Sequence, residues 1–278
     1  MKRFFLAAII LFFVTSCFAG RTDTVLVYSP SMKKEIKCVV ITPDNHWKKR
    51  NSFRFPVVII LHGHGGSYAQ WPRTAPQLAD LADRYQSIYV CPDGGVNSWY
   101  LDSPIDTTYK YETFVSGELI SFIDQKYKTI ADRSSRSITG LSMGGHGGMY
   151  LAIRHQNVFG SAGSTSGGVD FRPFPNNWGL KTKLGDTSCC IENWNRNVVI
   201  NLVDTLTNKA LNIIIDCGID DFFLPVNRAL HEKLLKLNID HDYTERPGAH
   251  KMDYWKNSIN YQLEYFYLKM GREKQKSS

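Results

Sequence analysis

Apolar positions fall into two kinds of run along this chain, and their alternation sets the expected fold. Thr24 to Tyr28 and Ile36 to Thr42 read as strands, the second with Ile36, Cys38 and Val40 on one face, as suits an antiparallel edge pair. Pro56 to Leu61 is continuously apolar, the pattern of a central parallel strand covered on both sides. Ser87 to Cys91, Arg136 to Thr139, Gly160 to Thr165, Leu211 to Cys217 and Asp242 to Glu245 complete the strands, although Ile138 is the one apolar residue of its segment.

Helical patterns lie between them. They cover Thr74 to Tyr85, Tyr109 to Lys128 with Val115, Leu119, Phe122 and Ile123 on a core face, and Gly144 to Arg154. Val226 to Leu237, with Leu230, Leu234 and Leu237 spaced for burial, and Met252 to Lys269 follow. Strand and helix in regular alternation predict an α/β protein with a doubly wound, mostly parallel central sheet, helices on both faces and antiparallel strands at the N-terminal edge. From residue 169 to about 210 the pattern loosens. That stretch reads as an insertion over a site, or as a long crossover with a helix near Asn201 to Leu206.

Length and composition narrow this without redirecting it. A chain of 278 residues suits one large α/β domain, expected over 20–271 with a polar tail at 272–278. Lys2 and Arg3 precede an apolar run from Phe4 to Val14 that is too short for a stable membrane anchor, the layout of a signal peptide over 1–19. Cleavage after Ala19 competes with a lipobox reading in which Cys17 becomes the acylated first residue, and lipidation there is the one expected route to a membrane. Either way export is expected. The formal charge of +7 falls to +5 without Lys2 and Arg3 (7 − 2), and the remaining basic residues are scattered, so a nucleic-acid partner is not expected. Six cysteines leave five in the mature chain, an odd count that argues against a full disulfide framework. Cys38, Cys91 and Cys217 lie in strand-like runs and read as buried; Cys189 and Cys190 are adjacent and awkward to bridge.

The candidate chemistry sits at predicted strand ends. Gly140-Leu141-Ser142-Met143-Gly144 fits the G-x-S-x-G turn from strand to helix that lifts a serine hydroxyl above a sheet, glycines relieving the crowding on either side. His62-Gly63-His64-Gly65-Gly66 is either an ordinary turn or a loop whose N–H groups face an oxyanion; a metal site at His62 and His64 lacks accompanying ligands. A serine nucleophile needs a base and an acid that orients the base. Downstream, Asp220-Asp221 and His250 occupy successive strand tips in the chain order Ser, Asp, His. Position alone does not choose between the two aspartates, and Asp216, inside a strand, reads as structural.

At this point the chain resembles the esterase D-like branch of the α/β-hydrolases, which includes feruloyl and acetyl xylan esterases, S-formylglutathione hydrolase and the mycolyltransferases. The resemblance is carried by Leu61-His62-Gly63 with Trp71, Ser98-Trp99-Tyr100, Tyr111-Glu112-Thr113, the turn at Ser142, Asp216-Cys217-Gly218 with Asp221, and Gly248 with His250 and Trp255. It implies a catalytic set of Ser142, Asp221 and His250, the acid standing three places after the glycine of Asp-x-Gly. It also implies an oxyanion hole of the His64 and Met143 amides, no cofactor and no metal. The expected function is an exported serine esterase acting on a small-molecule or oligosaccharide ester, such as acylated plant polysaccharide fragments, with Trp71, Trp99 and part of the 169–210 insertion near the pocket. Rival expectations are acyl transfer to a carbohydrate alcohol and non-catalytic carbohydrate binding on a hydrolase fold.

Overall fold

The computed structural model describes residues 20–48 and 52–270. The expected leader with Cys17, part of the first long loop and the polar tail lie outside the described residues. Among the described residues eight strands form one sheet: β1 (Arg21–Ser29), β2 (Lys34–Thr42), β3 (Val57–Leu61), β4 (Ile88–Pro92), β5 (Arg136–Gly140), β6 (Ser161–Thr165), β7 (Asn212–Gly218) and β8 (Asp242–Arg246). Their order is β1-β2-β4-β3-β5-β6-β7-β8. The β1–β2 and β2–β4 pairs are antiparallel and the rest parallel.

Among the described residues ten helices accompany the strands: α1 (Gln70–Thr74), α2 (Leu78–Tyr85), α3 (Tyr111–Thr113), α4 (Leu119–Lys126), α5 (Met143–Arg154), α6 (Lys181–Leu184), α7 (Thr187–Asn195), α8 (Val199–Leu202), α9 (Leu224–Lys236) and α10 (Met252–Lys269). They pack on both faces. On one, Val57, Ile59 and Leu61 of β3 meet Phe114, Met149, Leu151 and Leu230. On the other, Val58 and Ile60 meet Leu78, Ala82, Ile259 and Phe266 from α2 and α10. Period-two alternation on a strand buried on both sides thus builds two cores from one apolar run.

β5 is buried throughout despite its polar sequence, and its arginine and threonine find buried partners. Arg136 bonds Asp124 at 2.7 Å and the Val158 carbonyl at 3.1 Å, while Thr139 bonds Gln262.

Several expected details change. The helix expected from Thr74 to Tyr85 begins only at Leu78, as α2, and an unexpected short α1 ends at Thr74, since Pro76 pushes Ala75 out of the helical region (φ −127, ψ 71). The helix expected from Tyr109 begins at Tyr111 and passes through a π turn, Phe114–Glu118, between α3 and α4; its Phe122 is half-buried. Leu237 is 39% exposed because it caps α9 beyond the last packed turn. His46 is buried and accepts from the Lys128 amide at 3.0 Å.

This topology decides where a site can form. From β3 the chain moves to β4 on one side and later to β5 on the other, so the connections after β3 and β5 part and leave a crevice at the strand C-termini. Residues 62–64 leave β3 there and Ser142 leaves β5 there, while Asp221 and His250 follow β7 and β8 on the same rim.

Candidate active site

Ser142 occupies the sharp turn between β5 and α5 with φ 55 and ψ −114, a backbone region costly for a residue with a Cβ. The flanking glycines explain how the turn closes. A Cβ on Gly140 would lie 2.6 Å from the Gly144 and Leu61 carbonyl oxygens, and one on Gly144 would lie 2.4 Å from the Leu61 oxygen. The hydroxyl is thereby held above the sheet edge.

His250 reaches it from the loop after β8. Its Nε2 is 2.9 Å from Ser142 Oγ, and its Nδ1 is 3.0 and 2.9 Å from the two carboxylate oxygens of Asp221. The Asp221 side chain is fully buried and also accepts from the Phe223 amide at 2.8 Å, which fixes its orientation. Asp220 is exposed and its backbone, not its carboxylate, bonds the histidine loop, through the Gly248 carbonyl at 2.9 Å. Asp216 is buried among Thr165, Ser258 and Gln262, where desolvation raises its pKa.

The loop after β3 abuts the same turn. Gly63 N–H donates to Gln70 Oε1 at 2.8 Å. Met143 is the first residue of α5, and among the described residues no protein acceptor engages its amide or that of His64. Two free N–H groups beside Ser142 suit a developing negative charge. His62 does not face the site. Its Nε2 accepts from the Gly94 amide at 2.7 Å and its Nδ1 donates to the Gly63 carbonyl at 2.8 Å, which fixes a neutral tautomer and occupies both nitrogens. Burial lowers its pKa accordingly.

A cavity of about 360 Å³ opens over Ser142, His64 and His250. Trp178, Phe222, Met252 and Trp255 form its apolar wall. Trp178 and Phe222 stand nearly parallel (19°, centroids 6.1 Å apart), and Phe222 lies 4.3 Å from the His250 ring. Among the described residues the lining contains no Asp, Glu, Lys or Arg, burial lowers the His64 pKa, and the wall of Trp178, Phe222, Met252 and Trp255 is uncharged.

The two tryptophans expected to bind substrate do not line this cavity. Trp71 is 1% exposed and donates through Nε1 to the Leu61 carbonyl at 2.8 Å, bracing the end of β3. Trp99 is also 1% exposed, packed edge-on against Phe171 and His146 beneath the site. The aromatic wall that sequence reasoning missed had one available signal: Phe222 directly follows Asp221. Trp178, by contrast, comes from the segment expected near the pocket.

A sheet of this order, with a serine on a strained strand-to-helix turn at its switch point, defines the α/β-hydrolase class. A family model described as "Putative esterase" matches residues 29–266, and the chain belongs to that esterase family. It is 27% identical over 255 residues to an acetyl esterase of Caldicellulosiruptor saccharolyticus, covering 86% of this chain and 95% of that protein. It is 27% identical to an esterase of Mycobacterium tuberculosis, covering 76% of this chain but spanning 51% of that longer protein. Among solved structures, a ferulic acid esterase superposes with a TM-score of 0.78 at 25% identity, covering 91% of this chain and 100% of that one. The chain is a carboxylic ester hydrolase.

Proposed function

We propose that the chain hydrolyses neutral carboxylic esters through an acyl-enzyme on Ser142, with His250 as base, Asp221 as the acid that orients it, and the His64 and Met143 amides as the oxyanion hole. The observation that carries this is the continuous path from Ser142 Oγ to His250 Nε2 (2.9 Å) and from His250 Nδ1 to Asp221 (2.9 Å) at the floor of an open cavity. The hydroxyl passes its proton to Nε2 as Oγ bonds the carbonyl carbon, and the carbonyl oxygen takes the negative charge. Each amide that meets that oxygen contributes about 3 kcal/mol. Collapse expels the alkoxide, which leaves with the proton from Nε2. Water then gives a proton to the same nitrogen and attacks the acyl carbon, and as the Oγ–acyl bond breaks Ser142 takes that proton back and the acid is released. Asp221 holds the Nδ1–H tautomer throughout.

The uncharged aromatic wall favours an uncharged acyl group or sugar face over an ionic ester. The substrate reading is therefore an acylated carbohydrate of the plant-polysaccharide type, acetyl or feruloyl, in keeping with the acetyl esterase and ferulic acid esterase relatives. Export through the leader at 1–19 would bring the enzyme to such a polymer. Turnover of p-nitrophenyl acetate by wild type and Ser142→Ala tests the chemistry: the variant is expected to fold normally and lose nearly all activity, and equal rates would refute the role of Ser142. Relative specificity constants for acetyl-, feruloyl- and alkyl-sugar esters then test the substrate class.

A further inference from the structure

On α7, within the β6–β7 connection that also carries Trp178, two nucleophilic side chains touch. Cys189 is exposed and Cys190 half-exposed, and both are free thiols. Cys190 departs from helical geometry (φ −131, ψ 28), and its side chain lies against Gly185: a Cβ there would sit 2.7 Å from its Sγ. The Cys189 thiol donates to the Asp186 carbonyl at 3.4 Å and is also in hydrogen-bonding contact with Cys190. That contact is the main cause of the raised pKa of Cys190. The other described cysteines are sealed in the core, Cys38 and Cys217 at 0% and Cys91 at 1% exposure.

Adjacent Cα atoms lie about 3.8 Å apart across a trans peptide, shorter than the roughly 4.4–6.8 Å of relaxed disulfides. A bond between neighbours is therefore strained and easily reduced, the property of labile disulfides as opposed to structural ones. The non-helical backbone at Cys190 and the missing side chain at Gly185 leave that corner room to adjust.

We propose that Cys189 and Cys190 form a reversible thiol–disulfide site that reacts with low-molecular-weight disulfides. The Cys189 thiolate attacks the small disulfide, one S–S bond breaking as another forms, and expels one small thiolate. The Cys190 thiolate then attacks the Cys189 sulfur of the mixed disulfide and expels the second. In sum, two protein thiols and one small disulfide give one vicinal protein disulfide and two small thiols. Neither step uses Ser142, so the site stands whether or not the ester chemistry does.

The test uses reduced full-length protein with Cys17→Ser and one equivalent of 5,5′-dithiobis(2-nitrobenzoate). Expected are two thionitrobenzoate ions per reagent consumed, the loss of two hydrogens in the peptide holding both cysteines, and full reversal by dithiothreitol. Cys189→Ser and Cys190→Ser should each release one ion and keep an adduct. A parent protein that keeps an adduct on either cysteine, or whose pair does not react, overturns the proposal.

Discussion

Replacing Asp221 by Asn tests the proposed acid by changing one atom. In the structure the Asp221 carboxylate has two separate duties, accepting from the Phe223 amide at 2.8 Å and from His250 Nδ1 at 2.9 and 3.0 Å. An asparagine has one acceptor oxygen and one donor NH2. If the oxygen keeps the amide, the NH2 faces Nδ1 and the imidazole must carry its proton on Nε2. That proton then points at Ser142 Oγ, and the lone pair that should take the serine proton is gone. The same change in a protease triad of this geometry lowers kcat by about 10⁴-fold, which corresponds to about 5 kcal/mol of transition-state stabilisation. Asp220, exposed and making no side-chain bond to the ring, should change kcat/KM less than about twofold when replaced by Asn. The assay is kcat/KM for p-nitrophenyl acetate, with thermal unfolding to show that both variants fold. Asp221→Asn within tenfold of wild type, or a larger loss from Asp220→Asn, refutes the assignment.

Other perturbations probe the scaffold and the wall. Gly144→Ala places a Cβ 2.4 Å from the Leu61 oxygen and 2.7 Å from the His62 oxygen, both backbone, so it should cost about 1–3 kcal/mol, lower the melting temperature by several degrees and reduce turnover; an unchanged melting curve and rate would contradict the steric account. His146 is fully buried, and desolvation holds its pKa at about 4 although its nitrogens face the Trp99 and Asn197 carbonyls. Between pH 6.5 and 4 the unfolded chain binds a proton that the folded chain refuses, so stability should fall on acidification by about 3 kcal/mol from this group. Urea midpoints across that range should show a slope that His146→Gln reduces, and identical slopes would count against it. Phe222→Ala should lower kcat/KM for aryl-acyl esters about fivefold more than for acetyl esters, whereas Trp71→Phe should leave that ratio unchanged; equal ratios for the two variants would remove Phe222 from the acyl wall.

What the sequence makes legible here is what short-range sterics and chain order encode. The turn at Ser142 announces itself because Gly140 and Gly144 leave no space for a side chain. His250 and the Asp220-Asp221 pair are readable because parallel strands deliver their ends to one rim, so successive tips converge, whereas the choice of Asp221 over its neighbour comes from the family resemblance. Aromatic placement is less readable. Trp71 on α1 and Trp99 in a loop lie near the rim and look like pocket residues, yet each turns inward, Trp71 because the Leu61 carbonyl at the end of β3 offers its indole N–H an acceptor. Trp178 and Phe222 come together from segments 44 positions apart (222 − 178), a contact that no local pattern reports. Pro76 carries a local signal of the break between α1 and α2, because it restricts Ala75. Leu237 fits a helical period one position past the point where α9 stops packing.

The central claim is that Ser142 is a nucleophile primed by His250, and its most direct measurement is covalent. An alkyl fluorophosphonate, which bonds an activated serine oxygen with loss of fluoride, should add once per chain; peptide mass mapping should place the group on Ser142, and His250→Ala should slow the labelling by orders of magnitude. No adduct on the folded wild type, an adduct on another residue, or equal labelling without the imidazole would contradict it.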